Sequence, residues 1–103
     1  MKKLFEILVP TMYGFPKIAP IKTRHHKNWD KFVRNISAGL TILTPAKGQW
    51  VFNNALFEER VIPVRIFCTD EEMEKIVAFS FTHYRQKAIM YYVISNECKI
   101  VYK

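Results

Sequence analysis

The sequence predicts an α+β domain of the ferredoxin-like, split βαβ class, with its elements in the order βαββαβ. Three observations predict it. Trp29, Phe32, Val33 and Ile36 recur at helical spacing, and so do Met73, Ile76, Val77, Ser80 and Tyr84. Apolar, strand-like runs stand before, between and after these two stretches. The run ending at Cys68 alternates, as a strand does when its two faces meet different surroundings. Such an order lays two helices on one face of an antiparallel sheet.

The elements follow in turn. Leu4 to Val9 reads as the first strand, and Pro10 closes it. Residues 10–27 form a long connection holding Pro10, Pro16 and Pro20 and ending in Lys22-Thr23-Arg24-His25-His26-Lys27. Connections of this length in a compact domain carry function or move. The first helix is expected from Asn28, as N-cap, to Ala38, with Gly39 as its stop. Leu40 to Leu43 is a strand, Pro45-Ala46-Lys47-Gly48 a turn, and Gln49 to Phe52 continues the strand up to a turn at Asn53-Asn54.

Glu59 to Cys68 is the third strand. Ile62, Val64, Ile66 and Cys68 point one way, and Val61, Pro63, Arg65 and Phe67 the other. Pro63 has no N–H to give a ladder, which predicts a bulge or a gap in pairing. Thr69-Asp70-Glu71-Glu72 is a capping box that starts the second helix. Ala88 to Ile94 is the fourth strand, Ser95-Asn96-Glu97 a turn, and Lys99 to Tyr102 suits a short extra C-terminal strand.

A chain of 103 residues holds one domain, and with half its residues apolar and eight Phe it builds a packed core. The net charge of +7 suits phosphates, nucleic acid or an acidic protein, and equally simple solubility. Cys68 and Cys98 lack metal-ligand spacing and read as small apolar core residues in a reducing compartment. Glu6 and Pro10 break the only signal-like start, and no stretch approaches the ~20 apolar residues of a membrane span. A cytoplasmic protein without a membrane partner is expected.

The sheet face away from the helices carries Leu4, Leu8, Val61, Phe67 and aromatic residues of the fourth strand. An open apolar face marks an interaction surface, so a homodimer packed sheet on sheet is expected. Glu6 and Arg65 share that face by alternation and are expected to pair within it.

Gly39-Leu40-Thr41-Ile42-Leu43, Lys47-Gly48-Gln49-Trp50, Glu59-Arg60, Tyr84 and Gln86 form a recurring set. It resembles an uncharacterised bacterial and phage domain family with the core GLTxL, GQW, ER, Y and Q, over roughly residues 28–94. The resemblance implies a ferredoxin-like α+β fold and no particular activity.

Six residues are candidates for ligand binding: Arg24, His25, His26, Trp50, Arg65 and Arg85. Adjacent His25 and His26 on a basic loop suit acid–base work or a phosphate, against the alternative of a solvated loop. Arg85, beside Lys87, reaches an anion or simply suits a helix C-terminus. Trp50 stacks a ring or anchors packing. Arg65, a charge on an apolar strand face, pairs with Glu6 or lines an anion site in the dimer cleft.

No phosphate-binding loop, dinucleotide fingerprint, nucleophile elbow or zinc motif is present, so no cofactor and no metal is expected. The first functional expectation is a dimeric module binding a small anionic, nucleotide-like ligand, as in sequestering a signal. Two alternatives stand beside it. One is a small phosphodiesterase- or isomerase-type enzyme with a histidine base in the dimer cleft. The other is a nucleic-acid or acidic-protein binder, although the sheet lacks the aromatic signature of an RNA-recognition domain.

Overall fold

The computed structural model describes residues 1–14 and 17–103. It has seven strands and two helices: β1 Lys3–Pro10, β2 Met12–Tyr13, β3 Ala19–Pro20, α1 Thr23–Ser37, β4 Thr41–Ile42, β5 Ala46–Phe52, β6 Ala55–Cys68, α2 Asp70–Tyr84 and β7 Tyr91–Ser95. The main sheet is antiparallel in the order β4-β6-β1-β7, with β5 also on β6. Counting β4 and β5 as one interrupted strand, this is the split βαβ arrangement the sequence predicts.

The core lies between this sheet and the helices. Phe5, Ile7 and Val9 of β1 and Val64, Ile66 and Cys68 of β6 meet Trp29 and Val33 of α1 and Met73, Ile76 and Tyr84 of α2. Strand alternation supplies one wall and helical spacing the other. The buried indole of Trp29 needs an acceptor, and its Nε1–H donates to Ser80 Oγ at 2.7 Å. Burial pushes the Cys68 thiol up to about 11, which suits an inert packing residue.

Several boundaries differ from expectation. α1 begins five residues before Asn28, and Lys22 occupies the cap without a side-chain bond. His25 and His26 therefore sit in the first helical turns, and Asn28 lies inside the helix. The stop is Ala38 in the left-handed region, φ 70°, its N–H donating to Arg34 O, with Gly39 just beyond. Residues 10–27 hold the β2–β3 ribbon as well as the start of α1, while Pro16 lies outside the described residues. Ala46-Lys47-Gly48 is strand, not turn. No strand forms over residues 97–103, so the extra C-terminal strand is absent, and half-buried Cys98 stands outside any strand.

Pro63 behaves as its chemistry requires. Leu43 N–H donates to its carbonyl at 2.9 Å, so its missing N–H faces the β4–β5 side. There the register slips by one residue, from Ile42↔Val64 to Ala46↔Val61, while pairing with β1 runs unbroken through Leu8↔Pro63. The capping box at Thr69 is complete, with bonds of 2.8 and 3.1 Å to and from Glu72.

β6 is 14 residues long, and only its second half lies on β1. Its first half and β5 form a hairpin arm that runs out of the body. Asn53 and Asn54, φ 52° and 62°, close it with the paired positive φ values of a tight hairpin turn. The arm explains extents of 49 × 29 × 24 Å and a radius of gyration of 14.2 Å, where about 13 Å is usual at this length.

Candidate functional site at the helix ends

The N-terminus of α1 lies beside the C-terminus of α2, and aromatic rings join them. Phe32 stacks on Phe79 at 3.8 Å, Phe79 on His83 at 4.9 Å, and His83 on His25 at 3.7 Å with planes 5° apart. The two imidazoles also exchange bonds. His25 Nε2–H donates to His83 O at 2.5 Å, and His83 Nε2–H donates to His25 O at 2.8 Å. A carbonyl only accepts, so both rings carry their proton on Nε2.

His26 turns to Tyr84, whose hydroxyl lies 2.8 Å from Nδ1. Burial pushes the Tyr84 pKa up, so the hydroxyl keeps its proton and donates it to His26. Burial also lowers the pKa of His26, helped by the charges of His25 and His83. His83 is lowered by burial too, partly offset by its bond to His25 O.

The β2–β3 ribbon is pinned against this end. Gly14 N–H donates to Tyr84 O at 3.1 Å, and Gln86 Nε2–H donates to the carbonyls of Tyr84, Met12 and Gly14 at 2.9, 3.3 and 3.5 Å. This places Tyr13 edge-on to His25 at 5.5 Å and under the Arg85 guanidinium at 5.4 Å. A cleft of about 240 Å³ opens here, lined by Tyr13, Ile21, Lys22, Arg24, His25 and Asn28 among others.

Four of the six sequence-predicted residues thus gather at one end. Arg24 and His25 line the cleft, Arg85 reaches it through Tyr13, and His26 follows in the same helical turn. The electrostatics there are unusual. The positive end of a helix favours acidic residues and side-chain caps, yet α1 has no acidic residue in its first turn and no side-chain cap. It carries Lys22, Arg24, His25, His26 and Lys27 instead.

The other two candidates lie elsewhere. Arg65 Nε–H donates to Glu6 Oε1 at 3.0 Å, across directly paired positions of β6 and β1 within one chain. Glu6 is 7% exposed, and its second oxygen accepts from Tyr92 O–H, a bond that pushes the Tyr92 pKa up. Trp50 pairs with Phe57 on the arm, eight residues along β6 from Arg65, or about 27 Å of strand. Its ring leans over Gly48, where an added Cβ would lie 3.2 Å from the ring edge.

Sequence reasoning did not single out Tyr13, Lys22 or His83 for the site. The spacing of Phe79 and His83, four residues apart on one helix, is a signal that would have found the last. Tyr13 carries none, because the ribbon positions it. Among the described residues no three His, Cys, Asp or Glu side chains converge as a metal cradle. No described helix is long and apolar enough to cross a membrane.

No protein-family model matches the chain, and no curated protein matches it. Solved structures do. The divalent cation tolerance protein CutA1 of Thermus thermophilus superposes with a TM-score of 0.71 at 11% identity, over 96% of this chain and 88% of that one. The periplasmic divalent cation tolerance protein CutA of Archaeoglobus fulgidus gives 0.69 at 11% identity, over 97% and 88%. A PII-like protein CutA from Nostoc, in apo form, gives 0.60 at 12% identity, over 92% and 80%. At such identities the likeness is one of architecture: this chain shares the ferredoxin-like α+β fold of the CutA proteins.

Proposed function

We propose that the chain is a self-associating module that binds a small anionic, nucleotide-like ligand at the helix-end cleft and holds it without turnover. One observation carries the reading: the uncapped N-terminus of α1 opens on a cleft surrounded by cations and no acid of its own first turn. A helix in this state is under local electrostatic conflict, and a bound anion relieves it. Tyr13 adds a ring face beside the cationic Arg85, as a base-like group requires.

Binding is favoured over catalysis by the histidines themselves. The Nε2 protons of His25 and His83 are held by carbonyls, and Nδ1 of His26 is held by Tyr84. The Thermus thermophilus and Archaeoglobus fulgidus proteins of like fold are named for tolerance of divalent cations, but the charge of this cleft suits the opposite sign.

Self-association is supported by apolar surface. Leu4, Leu8 and Phe67 are only half-buried on the open sheet face. By alternation the same face continues along the arm, where Trp50, Phe52 and Phe57 are 45, 60 and 40% exposed. The proposed homodimer packs this face on its copy.

Native mass spectrometry of gently purified protein tests both parts. The expected result is a dimer with an added small-molecule mass that denaturation removes and that a Lys22→Gln/Arg24→Gln variant no longer carries. A variant that keeps the added mass sinks the helix-end site, and a monomer sinks the homodimer.

A further inference from the structure

A second groove, of about 660 Å³, lies at the base of the arm. That volume falls within the range of about 300–1,000 Å³ usual for small-molecule sites. Its floor is residues 58–60 of β6. On one side the connection after β1 is tied down, with Thr11 Oγ–H donating to Arg60 O at 2.6 Å and Lys17 Nζ–H to Glu58 O at 2.9 Å. On the other side stand Pro45, Ala46 and Lys47, at the register slip opposite Pro63.

The charges on this floor are poorly arranged for a groove filled only by water. Lys47 and Arg60 are direct cross-strand partners, so their side chains leave the same face side by side. Like charges placed so destabilise a strand pair. Glu58 relieves only one of them: its carboxylate lies 3.5 Å from Lys47 Nζ and accepts from Gln49 Nε2–H at 2.8 Å. The Arg60 guanidinium has no hydrogen-bond or ion-pair partner among the described residues. Lys17 donates to a neutral carbonyl, and its charge also acts on the Glu59 carboxyl. Glu59 also lines the groove and answers Lys17, while alternation sends its side chain to the face of β6 opposite Arg60, which it leaves unrelieved.

We propose that this groove is a second anion site, one that takes a phosphate-bearing small molecule, with Arg60 as the forked contact and Lys17 and Lys47 as flanking point charges. A guanidinium gives two parallel N–H donors to a phosphate, and ammonium groups neutralise the remaining charge. None of these residues belongs to the helix-end cleft, so the two sites stand or fall separately.

Titration calorimetry with inorganic pyrophosphate, in low-salt buffer without other multivalent anions, tests it. Arg60→Gln and Lys17→Gln are each expected to weaken pyrophosphate binding about tenfold. Lys99→Gln, a tail cation outside both clefts, is expected to change it less than about twofold. Lys22→Gln/Arg24→Gln is expected to leave the Arg60-dependent binding intact while removing the helix-end component. Thermal melts add an independent reading. Without anion Arg60→Gln is expected to melt at or above the wild type, and pyrophosphate is expected to raise the melting temperature of the wild type more than that of the variant. Wild-type pyrophosphate affinity in Arg60→Gln overturns the proposal, as does a loss no larger than that of Lys99→Gln. A lower melting temperature of Arg60→Gln in anion-free buffer overturns the unrelieved-charge argument on which it rests.

Discussion

Ser80 and Tyr84 show how single side chains join packing to the candidate site. Ser80 is 2% exposed, accepts from Trp29 Nε1–H and donates its own proton to Ile76 O at 2.6 Å. Ser80→Ala strands a buried indole N–H and is expected to cost about 1–3 kcal/mol in urea unfolding. A cost under about 0.5 kcal/mol would show that the indole finds another acceptor. One turn later Tyr84, wholly buried, donates to His26. Protonating Nδ1 of His26 removes that acceptor. The folded-state pKa values of His26 and His83 lie below the ordinary 6.5, so near that value the unfolded chain binds protons that the folded chain refuses. Their contribution to stability is therefore present above about pH 6.5 and lost as the pH falls below it. Melting temperatures from pH 7.5 down to 5.5 are expected to decline, and the decline is expected to shrink in His26→Gln. An unchanged slope in that variant would remove His26 from the account.

At the scale of elements, the two helices make opposite choices at their starts. α2 begins with a complete capping box and three acidic residues, Asp70, Glu71 and Glu72. α1 begins with neither. This contrast explains why one start was legible in the sequence and the other was not. Thr69 and Glu72 are a local signal, written in the residues that form it. The first turns of α1 are held by distant contacts, His25 with His83 and His26 with Tyr84, rather than by a local cap, and reading the sequence for a good cap led to Asn28 instead. His25 and His26, expected on a loop, thus stand in the first turns of α1. Lys22 has the extended backbone of a cap residue, φ −74° and ψ 148°. Lys22→Asp is expected to stabilise the fold by about 0.5–1.5 kcal/mol in denaturant unfolding while weakening anion binding at the cleft. Stabilisation with anion binding intact would separate the helix terminus from the site.

For the whole molecule, topology was more legible than reach. Alternation in β1 and β6 and helical spacing in α1 and α2 each report burial, and together they led to the split βαβ order. The arm was not legible, because its apolar residues look like core residues in a sequence. Trp50-Val51-Phe52 and Leu56-Phe57 are apolar on both faces, as a buried strand pair would be, yet the body ends before it reaches them. The proposed homodimer would give that surface a purpose. Trp50→Glu/Phe57→Glu is expected to halve the mass measured by light scattering while leaving the circular dichroism spectrum of the body unchanged. A mass unaffected by two charges on the arm would restrict any interface to Leu4, Leu8 and Phe67.

β6 belongs to two neighbourhoods with different histories. From Ala55 to Arg60 it pairs only with β5, a partner at most a dozen or so residues away along the chain, whereas from Val61 on it joins β1 across some fifty to sixty-five residues. Short loops close quickly and cheaply, and long ones slowly. The arm therefore zips early and frays often, while the inner half forms late and opens only with the whole domain. Amide hydrogen exchange should read this as two lifetimes on one continuous strand, fast up to Arg60 and slow from Val61 on, with Pro63, inside the slow half, the one position of the strand that has no amide proton to report.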